Sequence, residues 1–131
     1  MELFVTIIII GILIFMGLIF WVQSKRQKIS KSAQKKIHTH WSRLPKEPTH
    51  AILEADKILD EALKLKGYSG NLGEKLKQAN GLFSSENNVW AAHKLRNRIA
   101  HELNINISEN EAKTALNRFK QALKDLGFKL Q

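Results

Sequence analysis

The spacing of apolar residues along this chain changes character once, early. Residues 3–22, LFVTIIIIGILIFMGLIFWV, carry no charge, and 15 of the 20 are Ile, Leu, Phe or Val. No polar face interrupts the run, so it predicts a helix that is apolar all round. At 1.5 Å per residue it would be about 30 Å long, the thickness of one bilayer core. After it, apolar positions recur with helical spacing in shorter runs. The first covers about 30–43, with Ile37, Trp41 and Leu44 on one side, and is close enough to the apolar helix to continue it. PKEP at 45–48 stops it, because proline lacks a backbone donor and restricts the residue before it. The second covers about 49–66, with Thr49 as the expected N-cap. Its apolar residues, from Ile52 to Leu65, span an arc of roughly 160° on a helical wheel, wide enough for a well-buried helix. Asp56 and Asp60 fall at one edge of that arc, and Gly67 reads as the stop.

YSGN forms a turn, and a short third run at 71–79 opens with Asn71 and Glu74 at capping-box spacing. The fourth run is about 85–103. The last, about 109–126, opens with the capping box Ser108-x-x-Glu111, carries Ala112, Leu116, Phe119, Leu123 and Leu126 on one stripe, and ends at Gly127. No run alternates with period two, so no sheet is expected. The fold class is therefore all-α: a single-pass N-terminal transmembrane helix followed by a small four- or five-helix up-and-down bundle. The chain divides into an anchor at 1–23, a basic juxtamembrane segment and first helix at 24–46, and a helical bundle at 47–131. A domain of about 90 residues can bury one core but is small enough for dimerisation to help it, so a homodimer is the expected state.

Charge sharpens this picture. The net charge is +9 over 131 residues, but residues 23–46 hold eight basic and no acidic residues, whereas residues 47–131 hold 13 basic and 11 acidic, a net of +2. No basic residue precedes the apolar run. By the positive-inside bias the C-terminal domain is cytoplasmic and the N-terminus outside, placing the chain in the plasma (cytoplasmic) membrane. The basic segment is then first a topology signal, free to touch anionic lipid headgroups, with nucleic-acid contact the lesser reading. A cleaved signal peptide would want a positive n-region, a shorter apolar core and a small-residue cleavage site, in place of Met1-Glu2 and the continuation into Trp21 and Gln23. Inserting the apolar run gains on the order of 5 kcal/mol or more. Gly11 and Gly17 lie six apart, off the four-residue spacing of a helix-packing motif. The absence of cysteine removes disulfides, thiol nucleophiles and cysteine zinc sites, and suits a reducing compartment. No metal site or cofactor is expected: His38 and His40 would point to different sides of a helix, and no second ligand pair accompanies them.

Candidate chemistry concentrates in HKLRNRIAHELN, residues 93–104. At about 100° per residue with Trp90 at zero, Leu95, Ile99, Ala92, Leu103, Val89 and Ala100 occupy an apolar arc from about 140° to about 280°, and Arg96, at about 240°, lies inside it. His93, Asn97 and His101 form an i, i+4, i+8 stripe on its border. Arg98 and Glu102 make an ordinary surface pair on the other side. A guanidinium on an apolar face needs a carboxylate, and Asp56 and Asp60 are the candidates for a purely structural role. His93 by itself reads as a histidine satisfying a local hydrogen bond. In a functional role, His101 would move a proton, Arg96 would hold a phosphate, and Asn97 would orient the imidazole or bind a ribose or phosphate oxygen.

RNRIAH, residues 96–101, resembles the R-N-x3-H form of the motif of HEPN domains (higher eukaryotes and prokaryotes nucleotide-binding). Its setting, the penultimate helix of a small helical bundle, is similar too, and the resemblance covers about residues 30–128. It implies a HEPN-like bundle. Many such domains are metal-independent endoribonucleases that use the RNA 2′-hydroxyl as nucleophile, with arginine and histidine from two subunits meeting in a shared cleft; others only bind or dimerise. By resemblance, the catalytic residues would be Arg96, polarising the scissile phosphate, His101 as the acid–base group, and Asn97 positioning them. Two features depart from the nuclease pattern: Leu103 stands where toxin-type members often carry tyrosine, and the bundle lacks the positive excess that would hold RNA. Three readings follow. The foremost is a non-catalytic module binding a nucleotide, RNA or protein at the membrane. The second is a dimeric endoribonuclease, and the third a structural scaffold of a membrane complex.

Overall fold

The computed structural model describes residues 1–24 and 28–131 and places six helices among them, with no strand. Helix α1, Glu2–Ser24, is long and apolar enough to cross a membrane: residues 2–21 have a mean hydropathy of 3.1, and none of the span is buried against protein. The bundle consists of α2 (Lys31–Ser42), α3 (Pro48–Leu65), α4 (Leu72–Gln78), α5 (Glu86–His101) and α6 (Glu109–Asp125).

Local chemistry sets these boundaries. Ser30 caps α2, its hydroxyl accepting from the Ala33 N–H at 3.1 Å, and its extended backbone starts α2 afresh. The expected continuity of the first bundle helix with the anchor is thereby corrected. The N-cap of α3 is Glu47, not Thr49. The Glu47 carboxylate accepts from the backbone N–H groups of Thr49 and His50, and Pro48 fills N1, where no donor is needed. Both capping boxes form: Asn71 with Glu74 at α4, and Ser108 with Glu111 at α6. Helix α5 ends at His101, two residues short of the expected end. Glu102 is already extended and Asn104 takes φ 58°, in the left-handed region that asparagine tolerates. Leu103 therefore leaves the apolar stripe on which the wheel placed it and is 94% exposed; Ala100 is exposed as well.

Helix α3 is the hub, packing against α2, α4, α5 and α6. Its wide apolar face supplies Ile52, Leu59 and Leu63 to a core completed by Ile37, Leu76, Phe119, Leu123 and Phe128, all fully buried. The stripe expected on α6 lies against this core, with Leu116 at its partly exposed edge. Hydrogen bonds tie the elements at one end. Gln34 on α2 and the backbone of Lys129 exchange two, at 2.7 and 3.0 Å. Lys66, after α3, donates to the Leu126 carbonyl at 3.1 Å, and Asp125 accepts from the Ser84 backbone N–H and hydroxyl at 2.8 Å each. The starts of α2 and α5 and the finishes of α3 and α6 thus share this near end, next in sequence to the anchor. The finish of α5 and the start of α6 lie at the far end.

Several carboxylates that hold the fold are shifted to lower pKa. Two backbone N–H groups, of His50 and then Thr49, lower Glu47, and the Ser108 backbone N–H and hydroxyl lower Glu111. Burial pushes Asp125 up, but the Ser84 backbone N–H, the Gln121 amide and the Ser84 hydroxyl together hold it below its usual value of 3.8. A carboxylate with a depressed folded-state pKa contributes stability that is present above its unfolded pKa and lost as pH falls through the folded value. Thermal melts followed by circular dichroism are therefore expected to be flat from neutral pH to about 5 and to shift downward below about 4. Asp125→Asn should lower the melting temperature at neutral pH and flatten that acid limb. Phe119→Ala, which empties the centre of the core, should cost about 3–5 kcal/mol at every pH.

Candidate functional site

Helix α5 runs antiparallel to α3, and its border stripe faces the α3 edge that carries Asp56. Asp56 is only 4% exposed. One of its oxygens, Oδ1, lies 2.8 Å from His93 Nδ1. The other, Oδ2, lies 3.3 Å from Arg96 Nε. Positions 93 and 96 are three apart, so both side chains reach the same carboxylate from one helix face. Around the other side, Arg96 Nη1 donates to Asn97 Oδ1 at 3.1 Å, and Asn97 Nδ2 lies 3.4 Å from His93 Nε2. Four side chains, Asp56, His93, Asn97 and Arg96, thus close a ring. One tautomer of a neutral imidazole fits it: Nδ1–H donates to Asp56, and Nε2 accepts from Asn97.

The ring answers the question raised by an arginine on an apolar face. Of the two carboxylates offered by α3, Asp56 takes Arg96. Asp60, one turn further on, is 2.8 Å from Lys75 Nζ on α4, whose side chain is only 6% exposed. The wheel found His93 as a border residue satisfying a local hydrogen bond, and its partner is that same Asp56. What the sequence reading missed is that His93 and Asn97 belong to one network with Arg96. The i, i+4 spacing of 93 and 97, together with an acid at the edge of the facing helix, was the available signal. Lys75 was missed altogether, because nothing in its surroundings in the sequence distinguishes it from the exposed Lys77.

Trp90 shields one side of the ring, standing edge-on to His93 with ring centroids 6.0 Å apart. Helix α4 comes close here through Gly73: a Cβ at that position would sit 3.8 Å from the indole of Trp90. The fit of Arg96 is incomplete. Its Nε is buried yet lacks a hydrogen bond, since Asp56 Oδ2 lies within ion-pair distance but off the N–H direction. The rest of the side chain reaches the surface, with 28% of it exposed.

His101 is not part of this ring. It is the last residue of α5, is exposed, and stands about 140° around the helix from Arg96. The structure therefore joins two of the three residues singled out by the RNRIAH motif and separates the third within a single subunit. Arg98 and Glu102 form the expected exposed pair, at 3.4 Å. Among the described residues, no group of three or more histidine or acidic side chains is arranged to hold a metal. No family model, curated protein or solved structure matches this chain.

Asp56→Ala removes the carboxylate paired with Arg96 and the partner of His93 together. It should destabilise the bundle by about 3 kcal/mol, near the lower figure for breaking a buried pair because part of Arg96 reaches solvent. Arg98→Ala, which breaks an exposed pair, should stay within about 0.5 kcal/mol of the parent. Urea unfolding in detergent, followed by circular dichroism, measures both.

Proposed function

We propose that this chain is a single-pass membrane protein whose cytoplasmic, HEPN-like bundle is a non-catalytic binding module for a protein partner. One observation carries the reading: Asp56, buried in the same subunit, offsets Arg96 and ties it to His93 and Asn97. A phosphate approaching Arg96 would compete with a carboxylate fixed 3.3 Å away, so the site is poorly disposed to gather charge in a transition state. Beyond α2 the bundle is near neutral, with 13 basic and 11 acidic residues over 47–131, so α3 to α6 give an RNA strand little electrostatic hold, which favours a protein over a nucleic acid. The membrane part of the reading is supported by the uninterrupted apolar length of α1. The orientation is supported by the eight basic residues that follow it.

A second reading has its own support. Part of Arg96 is exposed and Asn97 touches it, while His101 stands in the open at the end of α5, where a second subunit could bring the two groups together. That arrangement would be a metal-independent endoribonuclease of the kind the RNRIAH motif implies, working across a dimer. The two readings separate in one assay. The full chain in lipid nanodiscs is incubated with labelled single-stranded RNA in the presence of a chelator, alongside Arg96→Ala and His101→Ala. The binding-module reading expects no cleavage above the protein-free control. Cleavage abolished by either substitution would replace it with the nuclease.

A further inference from the structure

The near end of the bundle gathers positive charge from three separate parts of the chain. Lys28 precedes α2 and Lys31 opens it, Lys66 follows α3, and Lys129 lies beyond α6; together they line an open cleft of about 480 Å³. Among the described residues, no acidic one lines it. Its floor is apolar, formed where Ile29 crosses the turn after α6. There Gly127 has φ +99°, and an added Cβ would meet Ile29 Cδ1 at 3.2 Å, so this turn needs glycine both for its backbone and for its space. The position of Lys129 is set by the exchange of hydrogen bonds with Gln34, and that of Lys66 by its bond to the Leu126 carbonyl. The charges are thus carried on a fixed frame rather than on a loose tail. Lys31 opens α2, whose first turn has no acid; a cation there opposes the helix dipole, an unfavourable placement that an anion beside it would offset.

We propose that this cleft is a docking surface for anionic phospholipid headgroups and that it seats the near end of the bundle on the membrane into which α1 inserts. The inference rests on the reading of α1 as a span. Chain length forces proximity: α1 ends at Ser24 and Ser30 caps α2, so six steps of at most about 3.6 Å keep the cleft within roughly 22 Å of the end of the anchor. The field of an anionic leaflet decays over a Debye length, about 8 Å at physiological ionic strength, so the lysines act only with the cleft close against the surface, a contact that this tether permits. Lys66 and Lys129 belong to the folded domain, not to the basic segment that sets topology, and they converge on that segment from the ends of other elements. Seated this way, α5 rises from the near end toward solvent. Its 16 residues carry His101 about 22 Å away from the end that touches lipid, which leaves the far end open to a partner.

The chain has no cysteine, so Gln131→Cys gives a unique spin-label position beside Lys129, and Asn106→Cys gives one at the far end. The full chain carrying either label is reconstituted into vesicles of phosphatidylcholine alone, or of phosphatidylcholine with phosphatidylglycerol. Accessibility to a water-soluble nickel chelate is then read from the relaxation of the label. The label at 131 should be shielded in anionic vesicles and accessible in neutral ones. High salt should release it, and so should Lys31→Glu combined with Lys129→Glu, with helix content unchanged by circular dichroism. The label at 106 should stay accessible throughout. Equal accessibility at 131 in both lipids would overturn the proposal, as would shielding that survives the double substitution. Release by inorganic phosphate but not by chloride at the same ionic strength would show a small-anion site instead. Flotation of the chain with neutral vesicles reports separately on the span: without flotation the anchor reading fails, whereas flotation without shielding sinks the docking surface alone.

Discussion

The carboxylate of Asp56 is the constraint on which the rest of the site depends. It is buried on the face of α3 that meets α5, and a charge in that position is tolerable only if its lone pairs are used. His93 hydrogen-bonds one oxygen, the Arg96 guanidinium stands at ion-pair distance from the other, and Asn97 joins the two from the outer side. The arrangement fixes the rotation of α5 against α3: turning α5 by one residue, about 100°, would carry both partners away from the acid. The same rotation places Leu95 and Ile99 at the core and Trp90 beside Gly73 of α4. A polar ring thus specifies a packing that the modest apolar surface of α5, with only Val89 and Ala92 fully buried, would specify weakly.

Helix α3 repeats this logic along its length. Asp56 meets α5, Asp60 meets Lys75 on α4, and Glu61 meets Lys36 on α2. The pairs differ in their surroundings and so in what they do. Lys36 and Glu61 are partly exposed and screened, and add little to stability. Lys75 is enclosed, so Asp60 is needed to make its burial tolerable. The hydrophobic face of α3 gathers the bundle, and its acidic edges set where the neighbouring helices sit.

Much of this was legible in the sequence, for physical reasons that differ from helix to helix. The last helix could be read almost to the residue, because Ser108 and Glu111 satisfy the first backbone donors reciprocally and Gly127 provides a left-handed stop. The N-cap of α3 lies two residues before the expected one. Thr49 has the usual chemistry of a cap, yet Pro48 favours N1, which leaves Glu47 to receive the donors. The end of α5 was placed too far along: a helical wheel carries any apolar residue forward, and Leu103 continued the stripe although the backbone had already turned at Glu102. At the site, the need of Arg96 for a carboxylate was predictable from burial alone, and Asp56 was one of two candidates. That one acid would serve both Arg96 and His93 was not, because it depends on the register between two helices joined through residues 66–85, with α4 between them. The RNRIAH motif names residues adjacent in sequence, whereas the ring is assembled across α3 and α5.

The site as a whole depends on Arg96 being held inside its own subunit. A double-mutant cycle tests this most directly, comparing the unfolding free energies of the parent, Asp56→Asn, Arg96→Met and the combination under one set of conditions. A coupling of about 1–3 kcal/mol is expected, with the double variant less destabilised than the two single losses would sum to. Additivity within about 0.5 kcal/mol would contradict it, showing that Asp56 and Arg96 do not act on one another in the folded protein.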